Sequence, residues 1–414
     1  MKNHSAKGFR LWSAATCVCV SLVIAETGVL GTPAFATTYG SPLVLFAGRG
    51  VEVVQVLDAK TQCASICLTT DFWQWHNVTP PRPKAKVRGQ CLYYWGSAAF
   101  TSPRVGWVLA RNGGSVNTIL EHTLNGGRSW TIQPGGFTGS NSGSEVIGFI
   151  NAQLGWRQQF AEGSNAPYVL QRTKNGGATW TNVHHAPYSG CALLPYVFAT
   201  SSVGFAAAPL VGAVASDTFN SSYIWRTLNG GATWTKMTVL TIKHPSARLR
   251  VIYGQPSFSG ADGTLPVVSD AVGSNSEIVR FFTTTDTGKH WTLAAGVRVS
   301  GRLSFSAPVD NSCESSPSIA GPLVSASVAS PSTWWILRPG LKGGTTVVRE
   351  TGGGRMQSMV TSAAGLPPTT HGASLNAVDA RHALLTIGVS SGSSTVYVTN
   401  DGGRIWSLLS ASSL

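Results

Sequence analysis

The chain has 414 residues, of which 43% are hydrophobic, 9% aromatic and only 11% charged, and its formal net charge is +13. A chain this apolar is not disordered, and its shortage of charged residues argues against long helices and coiled coils. The 47 Gly, 21 Pro and 14 Trp residues favour short strands joined by many turns. We therefore expect an all-β fold, which at this length can form one unit.

The first 36 residues have the order of a secretory signal peptide. Residues 1–10 contain three basic side chains, an apolar run follows over residues 11–25, and small residues frame the triplet 34–36. The alternative is a retained membrane anchor, but a spanning helix needs about 20 apolar residues. We expect cleavage after Ala36, an extracytoplasmic location and no stable membrane insertion. The remaining 378 residues, 37–414, then carry a net charge of +11.

Five cysteines follow this segment: Cys63, Cys67, Cys91, Cys191 and Cys313. In an exported protein they can be oxidised, but an odd number leaves at least one without an internal partner. Closeness in sequence favours a pair of Cys67 with Cys91 or with Cys63, and the connectivity stays open. A metal site is not expected, because no histidines cluster with these cysteines.

A nine-residue pattern, which we call the box, recurs along the chain. Residues 123–131, 173–181 and 227–235 each read Thr-x-Asn-Gly-Gly-x-Ser/Thr-Trp-Thr, and residues 284–292 and 399–407 are looser copies. Self-similarity at a fixed period is the signature of a repeat architecture. The box therefore divides the chain into structural units.

The spacing of the box Trp residues gives the number of units. Successive box Trp residues are separated by 50, 54, 57 and 115 residues. Because the last gap is about twice the others, we expect a decayed copy near Met356, and counting back from the first box reaches Trp75. Seven copies, ending near 75, 130, 180, 234, 291, 356 and 406, average 54 residues each over residues 37–414.

Each unit contains apolar segments for four short strands. An apolar segment is followed by a second one such as Gly106-Trp107-Val108, and a third such as residues 168–172 enters the box. Four strands in about 50 to 57 residues match one blade of a β-propeller. The sequence therefore predicts a seven-bladed propeller of four-stranded antiparallel blades. The segment 42–46 either begins blade one or completes blade seven.

The residues of the box are suited to form a hairpin turn. Asn or Asp followed by Gly supplies a side-chain acceptor and a positive φ, which fixes the hairpin between the third and fourth strands. The Trp then packs on its own blade or on the next one. We expect the following box residues to be structural: Asn125, Trp130, Asn175, Trp180, Asn229, Trp234, Asp286, Trp291, Asp401 and Trp406.

The pattern Thr-x-Asn/Asp-x-Gly-x-Thr-Trp resembles the Asp-box, also called the bacterial neuraminidase repeat. With Gly-Trp upstream, the Asn-Gly-Gly-x-Thr-Trp form looks most like the photosystem II stability and assembly factor family and its exported bacterial relatives. The resemblance implies the propeller fold and a binding or assembly role. It does not specify a function, because Asp-boxes also occur in sialidases, xyloglucan-cleaving enzymes and sortilin-type receptors, where they lie on the face away from the ligand.

No set of residues makes a case for catalysis. Glycoside hydrolysis needs two carboxylates at a defined separation. Seven acids fall on the face opposite to the boxes, and no pair among them has a telling spacing: Glu145, Glu162, Asp217, Asp270, Glu277, Asp310 and Glu314. A sialidase-like glycoside hydrolase is the alternative to a binding protein. We assign no catalytic residue, no metal and no cofactor.

Basic residues concentrate in three predicted connecting loops on that same face: Arg82, Lys84, Lys86, Arg88, Lys243, Arg248, Arg250, Arg298 and Arg302. Converging loops would give a positive field that attracts an anionic partner. The alternative is charge scattered for solubility. We expect a monomer that binds a protein or an anionic cell-envelope polymer and does not bind nucleic acid.

Overall fold

A computed structural model describes most of the chain after residue 42. It covers residues 43–57, 64–72, 74–80, 86–87, 90–91, 93–112, 118–137, 146–159, 169–185, 196–208, 223–237, 239, 249–271, 276–300, 302–303, 323–324, 326–330, 332–339, 345–351, 361–362, 366, 373–388 and 394–409. The expected signal peptide, residues 1–36, lies outside these described residues and stays a prediction.

The first four blades are built from consecutive antiparallel strands. Blade 1 contains β1 (Leu43–Gly48), β2 (Val51–Leu57), β3 (Ala64–Thr69) and β4 (His76–Asn77). A hairpin of β5 (Lys86–Val87) and β6 (Gln90–Cys91) precedes blade 2, which contains β7 (Tyr93–Phe100), β8 (Gly106–Asn112), β9 (Thr118–Thr123) and β10 (Thr131–Phe137). Blade 3 contains β11 (Val146–Phe149), β12 (Gly155–Gln159), β13 (Val169–Thr173) and β14 (Thr181–His185). Blade 4 contains β15 (Tyr196–Phe198), β16 (Gly204–Ala208), β17 (Tyr223–Thr227) and β18 (Thr235–Met237).

The last three blades follow the same order, with one additional strand in blade 5. Blade 5 contains β19 (Leu249–Tyr253), β20 (Ser257–Ser259), β21 (Asp262–Ala271), β22 (Ser276–Thr284) and β23 (Thr292–Ser300). A short parallel pair, β24 (Arg302–Leu303) and β25 (Leu323–Val324), precedes blade 6. Blade 6 contains β26 (Ala326–Ser330), β27 (Thr333–Pro339), β28 (Thr345–Thr351) and β29 (Thr361–Ser362). Blade 7 contains β30 (Ala373–Ala377), β31 (Ala383–Gly388), β32 (Ser394–Thr399) and β33 (Ser407–Leu409).

The fold is therefore the predicted all-β propeller with seven blades, and the described residues contain no helix. The alternation of side chains explains the apolar run within an inner strand such as β8. Along β8, Val108 and Ala110 pack towards blade 1, whereas Trp107 and Leu109 pack towards blade 3. Since successive side chains point to opposite faces of a sheet, a blade buried on both faces needs a continuous apolar run.

The ring closes between blades 7 and 1. β1 pairs with β2, so the segment near Phe46 begins blade one and does not complete blade seven. Val54 and Trp75 of blade 1 lie in one buried cluster with Leu384 and Val396 of blade 7. Cys67 is buried in the same cluster, while Cys63, Cys191 and Cys313 lie outside the described residues, and the cysteine pairing stays a prediction.

The box forms a turn held by two side chains. In blade 2, the Thr123 hydroxyl accepts a hydrogen bond from the Gly127 N–H at 2.8 Å and donates one to Asn125 Oδ1 at 3.0 Å. Asn125 Oδ1 also accepts the Ser129 N–H at 2.9 Å. Gly126 and Gly127 have φ values of 71° and 83°, which glycine adopts without a steric penalty. The corresponding bonds recur in blades 3, 4, 5 and 7.

The box turn lies beside the hairpin turn between the first and second strands of its own blade. In blade 2 the Gly126 N–H donates to the Arg104 carbonyl at 2.9 Å, and in blade 3 Gly176 donates to Gln153 at 2.8 Å. These two kinds of turn together form one end of the propeller, which we call the box face.

Each box Trp packs between its own blade and the preceding one. Trp130 packs on a cluster from blades 1 and 2, Trp180 on one from blades 2 and 3, and Trp234 on one from blades 3 and 4. The expected partner was the blade itself or the next one. The own blade is confirmed as a partner, and the second partner is the preceding blade and not the next one, because Trp130 lies on the same face of its sheet as Val108 and Ile119, the face turned to blade 1.

Candidate functional site

The structure places part of the predicted basic set in strands. Lys86 lies in β5, Arg250 in β19, Arg298 in β23 and Arg302 in β24, where connecting loops were expected. Arg298 is exposed. The other five residues of the set lie outside the described residues: Arg82, Lys84, Arg88, Lys243 and Arg248. Convergence of the nine cations on one surface therefore stays a prediction.

Blade 5 brings together two acids that the sequence left unpaired. Its backbone register places Asp270 of β21 opposite Arg250 of β19 on one side and opposite Glu277 of β22 on the other. The register between two strands is not visible in sequence spacing, which is why this pair was missed.

A cleft of about 720 Å³ opens on the box face between blades 1 and 2. Its lining comes from the outer strand of blade 1, the first hairpin turn of blade 2 and the box of blade 2. The lining residues are Leu68, Thr70, His76, Asn77, Val78, Thr79, Pro103, Arg104, Asn125, Gly126, Gly127 and Arg128. This cleft lies at the end of the propeller opposite to the one where the sequence predicted a site.

Hydrogen bonds fix both walls of this cleft. Trp130 Nε1 donates to the Val78 carbonyl at 2.7 Å, which ties the box of blade 2 to the outer strand of blade 1. On the blade 1 side, Thr79 Oγ1 accepts the Ile66 N–H at 2.8 Å and donates to Asn77 Oδ1 at 2.7 Å. The Asn77 oxygen is thereby engaged as an acceptor, and its amide N–H₂ group is a donor.

The shortened first box shapes the blade 1 side. Its turn is one residue shorter than the others, so the Asp71 carboxylate accepts the Gln74 N–H at 2.9 Å, and the Thr69 hydroxyl accepts the Phe72 N–H at 2.9 Å. Phe72 takes the position of the first box glycine, with φ 62°. Asp71 directly follows the cleft residue Thr70, and its carboxylate is therefore hydrogen-bonded within its own turn.

The lining of the cleft contains two arginines and one histidine. Arg104 and Arg128 are exposed, His76 is exposed, and no carboxylate belongs to the lining among the described residues. Among the described residues, neither guanidinium group has an acidic partner. Two cations in a cleft without a carboxylate favour binding of an anion.

The internal repeat shows that the fold does not require these two arginines. Gln153, Ser202 and Ala261 stand at the hairpin-turn position of Arg104 in blades 3, 4 and 5. At the box position of Arg128, blades 3 and 4 have Ala178 and Ala232. Blade 7 also has arginine at both positions, Arg381 and Arg404.

Exposed cations recur in the box-face turns of blades 1, 2, 3, 5 and 7. They are Arg49, Arg104, Arg128, Lys174, Lys289, Arg381 and Arg404. Two acids of the same turns are bonded locally, since Asp286 contacts His290 Nδ1 at 2.5 Å and Asp379 contacts His382 Nδ1 at 2.7 Å. Backbone and side-chain hydrogen bonds hold the pKa of Asp286 well below its usual range. These acids remain charged, but their hydrogen-bonding capacity is used inside the turns.

A second cluster of titratable groups lies at the seam between blades 7 and 1. His382 stacks on Phe72 with ring centroids 3.8 Å apart, and its partner Asp379 lies close to Glu52 of β2. Burial, followed by the negative charge of Asp379, raises the pKa of Glu52 to about 8. Because Glu52 is only 2% exposed, no substrate reaches it, and the cluster belongs to ring closure.

The described part of the chain lacks two further features. No group of three His, Cys, Asp or Glu side chains is arranged to hold a metal ion within the described ranges. Among the same residues, no helix is long and apolar enough to cross a membrane.

Comparison with known proteins yields likeness in fold alone. No protein-family model matches the chain, and no curated protein matches it. A polysaccharide lyase described as an ulvan lyase is 8% identical over 91% of this chain and 98% of its own, with a TM-score of 0.46. An α-L-arabinofuranosidase of Fusarium graminearum is 11% identical over 77% and 94%, with a TM-score of 0.41. A Hadza microbial sialidase is 13% identical over 73% and 68%, with a TM-score of 0.36. At these identities the chain is similar to other propellers, and no activity follows.

Proposed function

We propose that the protein is an exported, monomeric β-propeller that binds an anionic partner and acts in binding or assembly, not in catalysis. The partner classes are an anionic cell-envelope polymer and an acidic segment of a protein. The observation that carries the proposal is the cleft on the box face, where Arg104, Arg128 and His76 meet without a carboxylate in the described lining.

The charge of the whole chain supports the same proposal. With 30 Lys and Arg against 17 Asp and Glu, the protein attracts polyanions at long range. The seven exposed cations of the box face extend this attraction beyond one cleft, since loops and turns from different blades meet at that end. The resemblance of the boxes to Asp-boxes and to exported assembly factors is a further argument for a scaffold outside the cytoplasm.

The proposal is tested with charged and uncharged forms of one polymer backbone. Dextran sulfate and dextran are titrated against the purified protein by isothermal calorimetry at low salt. We expect binding of dextran sulfate and none of dextran. Equal binding of both forms, or binding of neither dextran sulfate nor any other polyanion, would contradict an anion-binding function.

A glycoside hydrolase is the second candidate, and one observation favours it. Asp270 and Glu277 lie opposite each other in blade 5 with Arg250 beside them in the register. Glycoside hydrolysis uses a pair of carboxylic acid residues, and the register places these two acids on neighbouring strands. If this candidate is right, release of reducing ends from a polysaccharide is lost in Asp270→Asn and in Glu277→Gln, whereas the variants of the cleft arginines keep it.

A further inference from the structure

The cleft between blades 1 and 2 has the chemistry of a carbohydrate subsite. We infer that it holds one acidic sugar unit, bearing a carboxylate or a sulfate, of an extended polysaccharide. The inference rests on the proposed function, because it names the place and the ligand class of the anion binding proposed above.

The two arginines come from adjoining turns of one blade and line the same cleft. Arg104 comes from the hairpin turn and Arg128 from the box turn of the same blade, and the hydrogen bond from Gly126 to the Arg104 carbonyl, at 2.9 Å, joins these turns. A guanidinium group presents a planar fork of donors that matches a carboxylate or a sulfate with two parallel hydrogen bonds. Two guanidinium groups on two hydrogen-bonded turns therefore bind an anion more specifically than scattered surface lysines do.

The rest of the cleft is suited to a sugar ring. Pro103 gives it an exposed apolar side chain above the buried Leu68 and Val78, and Asn77 and His76 give it hydrogen-bonding groups for hydroxyls. Its volume of about 720 Å³ lies within the range of ligand pockets, which is about 300 to 1,000 Å³. Sugars combine apolar ring faces with hydroxyl groups, so both surfaces find a partner here.

An acidic peptide is the less suitable occupant. Peptides commonly bind by adding a strand to an exposed sheet edge. The outer strand beside the cleft, β4, spans only His76–Asn77, so its edge offers too few backbone groups for strand addition. The observations therefore favour a polysaccharide over an acidic protein segment.

The test compares two double variants that remove the same charge. Arg104→Gln/Arg128→Gln empties the cleft of guanidinium groups, and Lys174→Gln/Lys289→Gln removes two exposed cations of the box face outside the cleft. All four side chains are exposed, so we expect both variants to have the melting temperature of the wild type. The probes are polygalacturonate, dextran sulfate, polyphosphate, polyglutamate and neutral dextran.

We expect wild-type protein to bind polygalacturonate or dextran sulfate. Binding of polygalacturonate identifies a carboxylate as the anionic group of the ligand, and binding of dextran sulfate identifies a sulfate. The cleft variant should lose affinity by about tenfold or more, since charge-assisted bonds are lost, whereas the lysine variant keeps most of it. An Arg104→Lys/Arg128→Lys variant keeps the charge but not the planar fork of donors, so its affinity should lie between those of the cleft variant and the lysine variant.

Other outcomes overturn the inference in distinguishable ways. Equal losses in the cleft and lysine variants would refute the cleft as the subsite and leave anion binding by the box face standing. Binding of polyglutamate or polyphosphate without either acidic polysaccharide would refute the ligand class. If wild-type protein binds none of the four polyanions, the proposed function itself fails.

Discussion

Trp107 of blade 2 donates a hydrogen bond from its indole Nε1 to the carbonyl oxygen of Gly176, the box glycine of blade 3, at 2.8 Å. Trp156 makes the same bond one blade later, to the carbonyl of Gly230 at 3.1 Å. The Trp107 ring also lies between His122 of its own blade and Phe149 of the next, with centroids 4.5 and 3.6 Å away. The upstream Trp and the box therefore join consecutive blades.

Trp107→Phe should destabilise the protein by about 1 to 3 kcal/mol, because the buried Gly176 carbonyl loses its donor. The control is Trp291→Phe, because Trp291 Nε1 has no hydrogen-bond partner within the described residues. Urea unfolding followed by circular dichroism measures both variants. A loss for Trp107→Phe no larger than that for Trp291→Phe would contradict the role of the inter-blade bond.

Trp406→Ala should lower the free energy of unfolding by about 3 to 5 kcal/mol, since Trp406 is 5% exposed and packs between blades 6 and 7 against Trp335. Its neighbour Ile405 is 65% exposed, so Ile405→Ala should change the free energy of unfolding by less than about 0.5 kcal/mol. Thermal or chemical unfolding of the pair tests the packing of the box Trp. Similar stabilities of the two variants would place the Trp outside the core.

Glu52 should make the stability of the protein depend on pH. In the folded protein its pKa is raised to about 8 from the ordinary value of 4.5, so unfolding releases a proton between these pH values. The unfolded state then binds fewer protons, and the free energy of unfolding falls as pH rises through this window, by at most about 1.4 kcal/mol per pH unit.

The variant Glu52→Gln has no titrating group at this position and should lack this contribution. Unfolding curves from about pH 5 to about pH 8 should therefore show the variant gaining stability relative to the wild type as pH rises. Parallel curves for the two proteins over this range would show that Glu52 does not titrate as its burial between blades 1 and 7 implies.

The box and its spacing were enough to predict the seven blades, because each copy carries its own turn residues and its own strand pattern. The packing of Trp130 against the preceding blade was not predictable, since the face on which a side chain emerges depends on the register after the turn. The pairing of Asp270 with Glu277 also depends on register between strands. The cleft escaped prediction because Arg104 and Arg128 each look like an ordinary turn residue until the fold brings their turns together.

The salt dependence of polyanion binding is the sharpest test of the proposed anion-binding function. The affinity of the wild-type protein for dextran sulfate is measured by calorimetry from about 50 mM to about 500 mM NaCl, a range over which screening becomes strong. We predict that affinity falls steeply over this range and that the fall is shallower for Arg104→Gln/Arg128→Gln, because fewer ionic contacts are screened. An affinity that does not change with salt, or no affinity at low salt, would contradict the account of the protein as an anion-binding propeller.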